Sequence, residues 1–409
     1  MAKMQNPDAQ MEIIKKNTVE IIQEEELLNK LKKAYDNESS LTCKLGFDPS
    51  APDLHLGHAV VLHKIRDFQD LGHEAVIILG DFTGRIGDPT GRSQTRKQLS
   101  EEEVMNNAQT YKEQVYKILQ PDKTRLVFNS EWLSKFNFVD VINLSSKYTV
   151  ARMMEREDFN RRYQEGHSIC IHEFFYPLMQ GYDSIAIEAD IELGATEQKF
   201  NILMGRHLQK EYGQEPQVAL TMPILTGTDG VQKMSKSLGN YIGITEPPED
   251  IYGKIMSIPD EIMPEYYHLA SGLPTTEIEN VKSELESGNL HPRDAKMKLA
   301  RQIVTIYYGN NEATEAEKHF QRVVQQKELP EEIPQVKLKQ NEWGSSANII
   351  KVLKVTELAS SNSEARRLVK QGGIKVNGKK INSIEEEIEL NNDTLIQAGK
   401  RRFAQLVVE

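Results

Sequence analysis

Two short clusters in this sequence have the residue types for phosphate chemistry. The first is Asp53-Leu-His55-Leu-Gly57-His58, with two imidazoles three residues apart. If a helix begins there, both rings sit beside its unpaired N–H groups, a setting that favours a polyphosphate. Gly57 removes a side chain between them, so that a flat base can lie against backbone. The plainer readings are a chance match or two surface histidines at a helix start. A metal pair is disfavoured, because no third Cys, His or carboxylate nearby has ligand spacing. The second cluster is Gly227-Thr-Asp-Gly-Val-Gln-Lys233-Met-Ser-Lys236-Ser237-Leu-Gly239-Asn240. Two lysines three apart in a loop rich in Gly and Ser make a cationic arm that can close over phosphates as charge develops in a transition state. Alone it also fits an ordinary solvated basic loop. The ordered pair of clusters is far more specific than either.

A third constellation is Tyr176-Pro-Leu-Met-Gln180-Gly-Tyr-Asp183. Tyr176, Gln180 and Asp183 fall at i, i+4 and i+7, along one helix face. Phe174, Phe175, Leu178 and Met179 surround them, which suggests a polar stripe facing a pocket; the alternative is an amphipathic solvent face. Near the C-terminus, Arg366, Arg367 and Lys370 share a helix that ends at Gly372-Gly373. A tight Asn377-Gly378 hairpin carrying Lys379 and Lys380 follows.

The elements that must position these residues are readable in outline. The apolar spacing of Ile13, Ile14, Ile21, Leu27, Leu28 and Leu31 predicts a helix over residues 9–35. Leu41–Phe47 predicts a strand closed by Asp48-Pro49-Ser50, followed by a loop at 51–53 and a helix from about Gly57 to Leu71. Ala75–Leu79 is a fully apolar run, as in a parallel strand covered on both faces. This order is a βαβ unit, expected to be right-handed. A helix over 101–119, a strand at 125–128 and a mostly helical stretch over 139–181 come next. Strands at 185–193 and 217–225 then flank a helix over 196–211. Residues 247–326 read as purely helical, and the proline-containing segment 329–344 as a linker.

Composition bounds the rest. A chain of 409 residues suggests two or three domains. With 38% hydrophobic and 27% charged residues, it reads as a soluble globular protein with a real core. No apolar run reaches the roughly 18 residues a transmembrane helix needs, and the N-terminus has no secretory apolar region. Two cysteines, Cys43 and Cys170, cannot supply a Cys-rich zinc site and fit a reducing cytoplasm. A net charge of −11 argues against a protein coated in nucleic acid, though not against local basic patches.

The HLGH and KMSKS boxes together resemble the signature of class I aminoacyl-tRNA synthetases, and their surroundings are similar to the tyrosyl branch from Leu41 to the C-terminus. The resemblance implies an α/β fold. A Rossmann-type parallel-sheet catalytic domain with a helical insertion and an N-terminal helix would span 1–226. The KMSKS loop and an all-helical anticodon-arm domain would span 227–328, and a linker 329–345. A small C-terminal α/β RNA-binding domain, like one found in a ribosomal small-subunit protein, would span 346–409. A cytoplasmic homodimer is also implied. So is a two-step reaction: L-tyrosine's carboxylate joins the α-phosphate of ATP and releases pyrophosphate, and the tyrosyl group then passes to the terminal ribose of tyrosine tRNA. ATP is a substrate accompanied by Mg2+, with no dedicated metal cage and no zinc.

The same resemblance implies roles for single residues. His55, His58, Lys233 and Lys236 would give a positive or donor-rich surface around the triphosphate, with Gly57, Gly194 and Ser237 in the nucleotide site. Asp183 would accept a hydrogen bond from the substrate's phenol, and would be left unpaired by phenylalanine. Tyr176, Gln180 and Asp88 (in Gly84-Arg-Ile-Gly87-Asp88-Pro89) would hold the α-ammonium. Asp48, Gln198 and Gly194 match further positions lining the amino-acid and ribose sites. Arg366, Arg367, Lys370, Lys379 and Lys380 would contact phosphates of the tRNA's long variable arm.

The chain also departs from the commoner tyrosyl pattern. Lys44 stands where many members have a tyrosine on the substrate phenol; it either approaches the phenol or pairs with a neighbouring carboxylate. Leu193-Gly-Ala-Thr-Glu-Gln198 and the KMSKS loop are further departures, and together they resemble a second bacterial subtype. Three other readings fit less well. Tryptophanyl relatives normally lack the C-terminal domain. RNA-binding proteins descended from synthetases often lose the signature residues that are kept here. A cofactor-making nucleotidyltransferase explains HxGH but not the basic C-terminal unit.

Overall fold

This computed structural model describes residues 4–49, 53–90, 100–325, 333–399 and 402–408. Six strands form the sheet that carries the site: β1 (Glu20–Ile22), β2 (Thr42–Phe47), β3 (Glu74–Leu79), β4 (Thr124–Phe128), β5 (Ile191–Ala195) and β6 (Val218–Met222). Their order is β1-β6-β5-β2-β3-β4. β2 to β6 are parallel, and β1 lies antiparallel on the edge of β6. The α/β class is as expected. β3 is buried almost throughout, which its unbroken apolar run requires between two helical layers. The chain leaves β2 toward β3 and β4, and leaves β5 toward β6. The crevice above the β2–β5 pair is therefore a topological switch point, where such sheets bind ligands.

Two stretches beside this sheet differ in kind from the sequence reading. Residues 9–35 are not one helix but two, Pro7–Lys15 and Glu24–Asp36, on either side of β1. Left-handed residues at Asn17 (φ 57°) and Gln23 (φ 71°) turn the chain at each end of the strand. The unpaired edge of β6 takes up Ile21 opposite Leu220, a long-range pairing that no local periodicity announces. Likewise Ile185 is not in a strand. The helix Ile171–Ala186 carries it, Glu188 (φ 51°) reverses the chain, and β5 begins only at Ile191.

The chain forms two compact units, Met1–Glu246 with Ser257–Leu299, and Pro247–Met256 with Ala300–Glu409. The helices Met263–Ala270 and Thr275–Glu286 therefore belong with the sheet, although the reading above groups everything after 226 apart from it. In the second unit a small sheet has the order β10-β9-β12-β13-β7, with β7 (Gln335–Leu338), β9 (Ile374–Val376), β10 (Lys379–Lys380), β12 (Leu395–Ala398) and β13 (Arg402–Val408). β8 (Ser346–Asn348) pairs with β11 (Glu387–Glu389). Leu353, Val369, Ile374, Ile396 and Leu406 centre its core. β7 falls in the expected linker. It lies parallel to β13 and buries Leu338, and its partner is some seventy residues away in sequence. Residues 50–52 of the loop after β2 and 329–332 of the expected linker lie outside the described residues.

Candidate active site

A cavity of about 600 Å³ opens at the C-terminal ends of β2 and β5. His55, Gly57, His58, Gly194, Lys233, Lys236 and Ser237 line it, as do Asp48, Asp88, Tyr176, Gln180, Asp183 and Gln198. Fourteen cationic, polar and small positions scattered from residue 44 to residue 237 were singled out in this unit. Only Lys44 stays behind the wall.

On one side of the cavity, His55 is the N-cap of the helix Leu56–Asp70. Its Nδ1 accepts from the Gly57 N–H at 3.2 Å, and its own N–H donates to His58 Nδ1 at 3.2 Å. A Cβ on Gly57 would sit 3.0 Å from the His55 ring, so the glycine is what allows the ring to fold back over the helix start. The imidazoles stack with centroids 3.8 Å apart. Removal from water, then the facing His58, then Lys236 push the His55 pKa down to about 2. Burial and Lys236 push His58 to about 4. The sequence reading left these rings positive or donor-rich. They are neutral, and with Nδ1 accepting, each carries its proton on Nε2 as a donor.

The two boxes are fastened together by backbone. Leu56 N–H donates to Ile242 O at 3.0 Å and Ile244 N–H to Leu54 O at 3.0 Å. Within the lysine loop, the buried Asn240 amide donates to Asp229 at 2.8 Å and to Lys233 O at 3.1 Å, and accepts from Ser235 N–H at 2.8 Å. A side chain on Gly227 would strike that amide. Glu265 and Tyr266 hold Thr226 at the loop's base. Lys233 pairs with Glu197, and Lys236 donates to Asp53 O. Gly194 has a packing reason as well: a Cβ there would lie 2.9 Å from Ile202 Cδ1.

On the other side, the helix Ile171–Ala186 presents Tyr176, Gln180 and Asp183 to the cavity, while Leu178 and Ile185 pack away from it among Phe159, Met204 and Leu208. Tyr176 OH donates to Asp48 at 2.9 Å, and Thr83 donates to the other Asp48 oxygen at 2.9 Å. Asp183 is 4% exposed. It accepts from Trp132 Nε1 at 2.8 Å and from Asn129 Nδ2 at 3.3 Å. Burial dominates and lifts its pKa from 3.8 to about 7, against the pull of Lys44 and those two donors. Asp88 accepts from Gln198 Nε2 at 2.7 Å and pairs with Arg156 at 3.4 Å. Gly46 lines the cavity with nothing within 4 Å of where its Cβ would be, leaving space for a flat group above the strand.

Lys44 does not line the cavity. It is fully buried and pairs with Glu192 at 3.0 Å, the second of the two options left open for it. Trp132, Asn129, Thr83, Arg156, Glu192 and Glu197 are participants that the sequence reading did not name. For Glu192 and Lys44 a signal existed, since each is a lone charge inside an otherwise apolar strand.

The basic cluster lies in the other unit. Arg366, Arg367 and Lys370 are exposed on the helix Asn362–Lys370, and Lys379 and Lys380 on β10. Asn377 (φ 46°) and Gly378 (φ 78°) make the tight turn with two positive φ values that an Asn-Gly hairpin prefers.

Known proteins resemble this chain over nearly its whole length. The profile of tRNA synthetases class I (W and Y) matches residues 36–325, and that of the tyrosine–tRNA ligase SYY-like C-terminal domain matches 325–406. A tyrosine–tRNA ligase of Moorella thermoacetica is 56% identical over 97% of this chain and 95% of its own. One of Carboxydothermus hydrogenoformans is 57% identical over 98% of each. Among solved structures, tyrosyl-tRNA synthetase of Archaeoglobus fulgidus complexed with L-tyrosine shares the fold with a TM-score of 0.63 at 24% identity, over 76% of this chain and all of that one. The stacked histidine cap, the lysine loop clasped to it and full-length kinship at more than half identity lead to one assignment: the chain belongs to the tyrosine–tRNA ligases, aminoacyl-tRNA ligases of class I.

Proposed function

We propose that this chain activates L-tyrosine with ATP and then charges tyrosine tRNA, with the amino acid over β2 and β5 and the triphosphate between the histidine cap and the lysine loop. The observation that carries this reading is the convergence of all three constellations on one cavity. In the first step a tyrosine carboxylate oxygen bonds to the α-phosphorus and the bond to the β-phosphate oxygen breaks. That step needs positioning and charge stabilisation more than proton transfer. The Nε2–H groups of His55 and His58 donate to phosphate oxygens, and Lys233 and Lys236 leave Glu197 and the Asp53 carbonyl to meet the charge on the departing pyrophosphate. In the second step a hydroxyl of the terminal ribose attacks the acyl carbon and AMP leaves.

Asp183 accepts from the phenol. Gln180 donates its Nε2 to Glu192 at 3.3 Å, which turns its Oε1 toward the α-ammonium beside Asp88 and Tyr176. Magnesium arrives with ATP, held by the phosphates. Among the described residues no three His, Cys, Asp or Glu are grouped as a ligand set, so no side chain is assigned to it.

The partners are proposals of the same kind. Phe138, Val139, Ile142, Val150 and Ile171 are exposed large apolar residues concentrated in the helical insertion, and they support a homodimer through that face. The exposed cations on the helix Asn362–Lys370 and on β10 support tRNA backbone binding by the C-terminal unit. No helix among the described residues is long and apolar enough to cross a membrane, and the reading puts the enzyme in the cytoplasm with its tRNA.

ATP–pyrophosphate exchange should depend on L-tyrosine; exchange driven by tryptophan, or none from folded protein, sinks the reading. Ending the chain after residue 332 should spare that exchange and weaken tRNA charging. Ending it at 345 is the poorer cut, because it strands β7 without β13.

A further inference from the structure

Lys44 and Glu192 stand directly opposite each other on β2 and β5, beneath the helix Ile171–Ala186. Lys44 Nζ donates to Gln180 O at 2.9 Å, Ser184 Oγ at 2.7 Å and Glu192 Oε1 at 3.0 Å. An ammonium has three protons, and all three are taken, so none is left for a ligand. Glu192 is as fully engaged, by Ser184 at 3.1 Å, Gln180 at 3.3 Å and Gln217. The close packing leaves no slack: a Cβ on Gly205 would come within 2.6 Å of both Gln217 and Ser184. Exchanging a buried ion pair for apolar residues is commonly neutral or stabilising, so stability alone does not account for two charges at the middle of this sheet.

The pair's contacts suggest another role. It holds Gln180 at both ends, by the carbonyl and by the amide. We propose that the Lys44–Glu192 pair is a positioning device for the amino-acid end of the cavity, fixing Gln180 and keeping Asp183 in the ionised form that accepts the phenol. This rests on the phenol reading of Asp183 given above. The groups facing Asp183 are Trp132 and Asn129 from the segment after β4, Lys44 from β2, Glu192 from β5 and Tyr176 from its own helix. Among the charges, the attraction of Lys44 outweighs the repulsion of Glu192. A protonated Asp183 would offer a donor where the phenol needs an acceptor. Lys44 thus acts on the substrate without touching it.

The test is the pH profile of kcat/KM for tyrosine in pyrophosphate exchange by the full chain. The double variant Lys44→Gln with Glu192→Gln should move the acid limb up by about one pH unit, an effect of about tenfold below the limb, with KM for ATP unchanged. Glu192→Gln alone should move the limb the other way. A folded double variant whose limb stays in place overturns the proposal, and so does a single variant that shifts in the same direction as the double. If one variant fails to fold, the other's direction decides; if both fail, the pair is structural and the proposal falls. Asp183→Ala separates the two claims. Unchanged tyrosine kinetics there remove the phenol reading itself, whereas an inactive Asp183→Ala with an unmoved limb removes only the role given to Lys44 and Glu192.

Discussion

The two ends of the cavity hold their charges differently. At the end proposed for the amino acid, Asp183 is 4% exposed, Glu192 1% and Lys44 0%, and each has several fixed partners. At the end proposed for the nucleotide, Lys233 and Glu197 are 46% and 34% exposed and, among the described residues, pair with one another at the surface. A buried group that loses its partner keeps the full desolvation penalty, so it discriminates between ligands. A surface pair is worth about 0–1 kcal/mol, so its lysine changes partners at little cost when a phosphate arrives. On the proposed reading, one end of the cavity selects, and the other responds to charge that exists only briefly.

This contrast can be broken most forcefully at Asp183. Asp183→Ala removes a charge-assisted bond and leaves a phenol without that acceptor in a buried site, so kcat/KM for tyrosine should fall about 1,000-fold in a folded protein. Lys236→Ala should lower kcat for pyrophosphate exchange about 100-fold while KM for tyrosine holds, as expected of a group used mainly in the transition state. The unmodified enzyme should lose kcat/KM for tyrosine on the acid side of about pH 7. Asp183 is a carboxyl whose pKa is raised, so its accepting form disappears as pH falls through that value. His55 and His58, pushed to about 2 and about 4, add no limb there, and a kcat/KM for tyrosine independent of pH between 6 and 8 would contradict this. The smallest effect belongs to Glu197→Gln. Freeing Lys233 from a surface pair should change the exchange rate by less than about fivefold, and a larger loss would mean that Glu197 itself touches substrate.

Legibility in the sequence divided along a similar line. HLGH, KMSKS and the Tyr176–Gln180–Asp183 stripe were readable because each is a contiguous or helix-periodic set, in which spacing alone fixes the shared face. Trp132 and Asn129 were not, because they reach Asp183 only through the crossing of β4 and the helix after it. Arg156 joins Asp88 from the helical insertion by a path that no local pattern encodes. β1 and β7 were missed for a related reason. Each is a short edge strand whose partner is distant in the chain, and their own residues have too few turns of any period to register. Glu192 was the most recoverable omission: it is a single charge inside an apolar strand, and Lys44, already read as seeking a carboxylate, needed such a partner.

The backbone clasp between Leu54–Leu56 and Ile242–Ile244, with Thr226 pinned by Glu265 and Tyr266 at the other end, makes the lysine loop a short tether. Two ammonium groups on such a tether are present at an effective concentration on the order of millimolar or above, whatever the cell contains. On the proposed reading, the enzyme thereby brings its own counter-ions to the pyrophosphate and keeps them when the product diffuses away.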